Sequence, residues 1–191
     1  MRTLVTAGLL AAGMIGFNGA ANAQQPLGEE YCVYEKLTST LDYEFVAEAY
    51  LYGDHSDADM QAVLKKAADA CTTEHGMSAD QSSVASEIGI YGAIADYLAE
   101  DLLLEGVSQD AVDSLFAVID EMSDDDLDLL FEDDWRSDTA MVGRLKAAVI
   151  AQGIPDDAYS VDTALEIVEL SAFAMDAVMA YMIADGPDGA S

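Results

Sequence analysis

An all-α fold is predicted for this chain by three observations. Apolar residues recur at three- and four-residue spacing, serines and aspartates open these runs while glycines close them, and no run alternates with period two between hairpin turns. The expectation is a single-domain bundle of about seven helices with short loops and one disulfide. Only 3 prolines occur in 191 residues, and no linker-like stretch divides the chain.

The first element is a leader. Residues 1–23, MRTLVTAGLLAAGMIGFNGAANA, begin with Arg2, continue through an apolar run from Leu4 to Phe17 and end in Ala21-Asn22-Ala23. That layout is the layout of a cleavable secretory signal peptide, so the folded domain is expected to be 24–191. The apolar run is shorter than the roughly 20 residues a membrane span needs. Export predicts a periplasmic or secreted protein.

Each following helix carries its own signals. Residues 29–52 are expected to hold one or two helices. Ser56-Asp57-Ala58-Asp59 opens a helix over 57–74, and Ser78-Ala79-Asp80-Gln81, a capping box, opens one over 79–105. In the latter, Val84, Ile88, Tyr91, Ala95, Leu98 and Leu102 form one apolar stripe. Ser108, Ser137 and Ser160 begin further helices over 109–121, 138–152 and 161–184, and Ser123 caps a short one between them. First-turn aspartates meet the positive end of the helix dipole. Gly53, Gly76, Gly106, Gly153 and Gly186 stand where C-terminal glycines end helices. The segment VDTALEIVELSAFAMDAVMAYMIADG is apolar on most sides, but Glu166, Glu169 and Asp176 favour a buried bundle helix over a membrane span. Its Met175, Met179 and Met182 are expected in the core seam, where thioethers fill gaps, rather than in a Cu(I) site.

The charge excludes whole classes of partner. The chain has 37 acidic and 7 basic residues, net −30; losing the leader removes Arg2 alone and leaves 6 basic residues, net −31. Such a charge repels nucleic acid and anionic lipid and favours basic partners and, weakly, divalent cations. The 52% apolar content argues against disorder. Cys32 and Cys71, the only cysteines, are expected to form one disulfide in an oxidising compartment.

The stretch SDDDLDLLFEDDWRSD, residues 123–138, looks at first like a calcium loop. Asp124, Asp126 and Asp128 fit the first three EF-hand positions, but Leu129 replaces the required Gly and Trp135 the bidentate Glu. A short capped helix fits better, with Leu127, Leu130 and Phe131 on one face and Asp124, Asp128 and Glu132 on the other. These three acids, with Asp54, Asp57 and Asp59 beside His55, are the weak cation candidates. His55 and His75 flank opposite ends of one helix, about 27 Å apart for 18 residues, and cannot share a site. Trp135 is expected to anchor the core, with a partner-facing role for Trp135 and Arg136 as the alternative. No nucleophile elbow, zinc-protease motif, phosphate loop or cysteine-protease signature occurs, and no cofactor is implied.

Through its leader, the cysteine segments YCVYEKL and ADACTTEH, the helix IYGAIADYLAEDLL and the turn WRSD, the chain resembles small uncharacterised helical proteins exported by Gram-negative bacteria. The resemblance implies export and a helical fold; it carries no activity and transfers no functional residue. The functional expectation is a non-enzymatic acidic protein that binds a protein or envelope partner. The alternatives are a low-affinity divalent-cation binder, an acid-stress protein whose bundle loosens on protonation and, last, a hydrolase of envelope polymers.

Overall fold

The computed structural model describes residues 28–40, 42–53, 58–132 and 134–184. Every regular element among them is helical. A 3-10 turn at Glu29–Tyr31 leads into α1 (Cys32–Thr38), followed by α2 (Asp42–Tyr52), α3 (Ala58–His75) and α4 (Ala79–Leu104). Then come α5 (Gln109–Asp113), α6 (Leu115–Asp120), α7 (Asp124–Leu130), a second 3-10 turn (Trp135–Ser137), α8 (Thr139–Ala151) and α9 (Ala158–Ala184).

Two long helices form the axis. At 1.5 Å per residue, α4 and α9 each run about 40 Å, and they are packed antiparallel. Ile94, Leu98 and Leu102 near the end of α4 share a core with Val161, Leu165 and Val168 near the start of α9. Ala85 and Ile88 near the start of α4 share another with Ala177, Val178 and Tyr181 near the end of α9. Helices α1, α2 and α3 pack on α4, whereas α6 and α8 pack on α9. Both axial helices are therefore enclosed on most sides, which is why their sequences lack a clean polar face.

Start signals explain most boundaries. Ser78 Oγ accepts from the Gln81 N–H at 3.1 Å while Gln81 Oε1 accepts from the Ser78 N–H at 2.8 Å, completing the capping box. Ser108 Oγ and Ser123 Oγ cap α5 and α7 by accepting from the Ala111 and Asp126 N–H groups, without the reciprocal bond. Gly76, Gly106 and Gly153 adopt φ of 71°, 92° and 101°, the left-handed conformation that ends α3, α4 and α8 at little steric cost.

Four expectations are corrected by the structure. The run 109–121 is two helices that meet at Ser114, whose hydroxyl donates back to the Asp110 carbonyl at 2.7 Å. With this division the described residues hold nine α-helical segments, and the expected all-α bundle stands. Helices α8 and α9 are capped by aspartates, not by Ser137 and Ser160. Asp138 Oδ1 accepts from the Ala140 and Met141 N–H groups, and Asp157 Oδ1 from that of Ser160. Gly53 ends α2 without a positive φ. Finally, Met179 and Met182 are 54% and 56% exposed rather than in the core. The buried residues at that end are Ala174, Ala177, Val178 and Tyr181, one position out of phase with the methionine stripe. The expected cap Ser56, residues Asp54, His55, Asp57 and Gly186, and the expected leader, residues 1–23, lie outside the described residues.

Candidate functional site

The acidic stretch resolves into a cap, a short helix and a latch. Leu130 is fully buried and holds α7 down, while Phe131 remains partly exposed. Asp126 pairs with Arg144 of α8, and this guanidinium holds the Asp126 carboxyl below its ordinary range. Asp124, Asp128 and Glu132 are exposed, as is Asp59 at the start of α3. Among the described residues no three metal-capable donors in either acidic segment come together. The capped-helix reading of residues 124–130 therefore stands, and the carboxylates of this stretch form a dispersed acidic surface.

The 3-10 turn that follows α7 points Trp135 inward, with only 2% of the residue exposed. Its indole N–H donates to Glu169 Oε1 at 2.8 Å. Arg136 donates through Nη2 to Glu166 Oε2 at 2.5 Å and to Glu169 Oε2 at 2.8 Å. Its guanidinium carbon lies 4.6 Å from the centroid of the Trp135 ring, in reach of a cation–π contact. Two of the three carboxylates that argued against a membrane span in α9, Glu166 and Glu169, are thus the receptors of a latch that ties the turn to the axis. Burial pushes the Glu166 carboxyl above its usual range; the Arg136 charge opposes that rise and neighbouring Glu169 adds to it. The partner-facing alternative fails for Trp135, whose ring is enclosed. Arg136 is partly exposed but already engaged by two carboxylates.

A second polar group sits deeper, under α1. Gly89 and Gly92 of α4 let α1 approach closely: a Cβ on Gly89 would lie 2.6 Å from Val33 Cγ1 and 3.1 Å from the Tyr34 nitrogen. A Cβ on Gly92 would lie 2.8 Å from the Tyr34 ring. Tyr34 therefore lies across α4, and its hydroxyl donates to Asp96 Oδ2 at 2.6 Å. Burial raises the Asp96 carboxyl to about 7, with Glu100 adding and the Tyr34 hydrogen bond opposing. One turn on, Tyr43 donates to Glu100 at 2.8 Å. Asp96 escaped the sequence reading because it lies inside an apolar stripe; its spacing of four from Gly92 is the signal that it faces the same neighbour.

The third group is at the disulfide. Cys32 and Cys71 are bonded, with Cα atoms 5.8 Å apart, and link the start of α1 to α3. Closing a loop of 39 residues stabilises the fold by about 4 kcal/mol on chain-entropy reasoning. Glu74 and His75, on the last turn of α3, come beside Cys32, so that one donor atom from each of the three lies within 4.8 Å of the others. Lys36 of α1 donates to Glu74 Oε2 at 2.7 Å and lowers that carboxyl's pKa.

Most of the basic residues of 24–191 serve the fold. Lys36, Lys65, Arg136, Arg144 and Lys146 all form internal ion pairs. The acidic surface is left with almost no cation of its own. No family model, curated protein or solved structure matches the chain.

Proposed function

We propose that this chain is an exported, non-enzymatic acidic bundle that binds a basic protein or envelope partner. The observation that carries this reading is the commitment of five of the six cations beyond the leader to internal pairs, against 37 acidic residues. A surface so poor in cations presents an unneutralised negative field, which steers positively charged partners and sheds counterions when they dock. The polar clusters support the reading from the other side. Glu166 and Glu169 both accept from Arg136, so neither is a free acid or base for hydrolysis of a polymer. The buried Asp96 opposes loosening by acid, because protonation lifts the penalty of burying its charge.

The test is capture from an envelope fraction at about 0.05, 0.15 and 0.5 M salt, beside an unrelated helical protein of equal negative charge. The expected partner is basic, binds in preference to the control and loses affinity by at least about tenfold over that range. Retention of nothing beyond what the control retains refutes the proposal, and so does salt-independent binding. Calorimetry with millimolar Ca²⁺ separates the cation-binding alternative: heat and a melting shift would favour it over a protein partner.

A further inference from the structure

We infer that the junction of α1 and α3 is a zinc-class metal site masked by the Cys32–Cys71 disulfide, with Cys32, Cys71, His75 and Glu74 as its donors. Cys71, Glu74 and His75 stand at i, i+3 and i+4 of α3 and so project from one helix face. The first residue of α1, Cys32, is seated on that face. One ligand atom each from Cys32, Glu74 and His75 already fall within 4.8 Å of one another. A tetrahedral zinc ion, with bonds of about 2.0 Å to nitrogen and 2.3 Å to sulfur, holds its ligands roughly 3.3–3.8 Å apart. Three donors are therefore about an ångström from coordination distance before any metal arrives. Cys71, bonded to Cys32 and buried behind it, supplies the fourth by turning its sulfur towards the group once that bond opens.

The surroundings fit a metal as well. Lys36 binds one oxygen of Glu74, which orients the carboxylate and leaves the other oxygen for a metal, the part an outer partner plays around a ligand. Cys32, Lys36, Glu74 and His75 line a groove open to solvent, which provides an entry path. Two thiolates, an imidazole and a carboxylate are a borderline-soft set that suits Zn²⁺ and its close analogues better than Ca²⁺ or Mg²⁺.

Disulfide and metal exclude each other. A dithiol reductant supplies two electrons and two protons to the sulfur–sulfur bond, giving two cysteine thiols and leaving as its own cyclic disulfide. The incoming cation then displaces the two thiol protons to solvent, so that binding is favoured by rising pH.

The experiment uses the chain from residue 24 onward, reduced with a dithiol, freed of reductant without oxygen and titrated with Co²⁺. The reduced protein should take up one equivalent, with a thiolate-to-cobalt charge-transfer band and the intense visible bands of a tetrahedral ion. Zn²⁺ should bleach both, and the disulfide form should show neither. His75→Ala and Glu74→Gln should each weaken Co²⁺ binding by about tenfold or more. Circular dichroism is recorded at every step. Should reduction lower the helix content, its recovery on adding Co²⁺ supports the site, whereas thiolate bands without recovered helix show an unfolded chain chelating through cysteine and overturn it. Absence of the charge-transfer band in the reduced protein also overturns it, as do two variants that bind like the parent.

Discussion

Asp96 is buried between Ala95 and Tyr97 on a helix covered by α1 and α2. Desolvation dominates there and raises its pKa to about 7, from an ordinary value of 3.8. The folded state therefore holds a proton that the unfolded chain gives up at much lower pH. Stability from this group is fully present below about pH 4 and is lost as pH rises towards 7. The loss amounts to at most about 4 kcal/mol at the upper end. Asp96→Asn keeps an acceptor for the Tyr34 hydroxyl and carries no charge. It should flatten this slope, leaving a protein more resistant to urea than the parent at pH 8 and similar at pH 4. Urea midpoints at the two pH values check this; parallel slopes in parent and variant would remove Asp96 as the source. At Trp135, burial of the ring and the bond to Glu169 give two separable contributions. Trp135→Ala should cost about 3–5 kcal/mol through the cavity it leaves. Trp135→Phe should cost less, chiefly the lost bond to a charged acceptor. Equal losses in denaturant titrations would contradict that division.

The pairing of α1 with α4 shows how an element of only seven residues is held. Its own hydrogen bonds are too few for an independent helix. Its place is fixed by the disulfide at one end, by Val33 and Tyr34 lying on Gly89 and Gly92, and by Leu37 buried in the core. Alanine normally favours a helix over glycine by about 1 kcal/mol. At Gly89 that preference should reverse, because the added methyl meets Val33 Cγ1 at 2.6 Å and the backbone of Tyr34 at 3.1 Å. Gly89→Ala should destabilise by about 1–3 kcal/mol in thermal or urea unfolding. Gly143→Ala, where a Cβ meets nothing within 4 Å, should stabilise slightly. A stabilised Gly89→Ala would mean that α1 slides freely on α4. Helix boundaries and helix phases differ in how far the sequence reveals them. The starts of α4, α5 and α7 could be read because a serine cap is a local device, complete within four residues. The phase of α9 could not: a helix enclosed by neighbours is apolar all round, so Met175, Met179 and Met182 looked as buried as Val178 and Tyr181 until the packing set its rotation.

At the scale of the whole molecule, net charge acts on every element at once. Residues 24–191 carry a net −31 with six cations, and this self-repulsion acts against the folded state. Raising salt from about 0.01 to 0.1 M shortens the screening length from about 30 to about 10 Å. The melting temperature should therefore rise with added NaCl, more steeply than the weakening of the exposed pairs Lys65–Asp69 and Lys36–Glu74 can offset. A scan of melting temperature against NaCl checks it, and a falling curve would show that local ion pairs outweigh the global field. By itself the sequence determined the all-α class, the helix starts built on Ser78, Ser108 and Ser123, the pairing of the only two cysteines and the sign of the surface, since each depends on local chemistry or simple counting. Only the tertiary structure decided that Trp135 and Arg136 latch onto Glu166 and Glu169, that Tyr34 reaches Asp96, and that Glu74 and His75 stand beside Cys32. Those contacts join residues about 30 to 60 positions apart, and their partners are chosen by which helix faces meet, a property that no local spacing encodes.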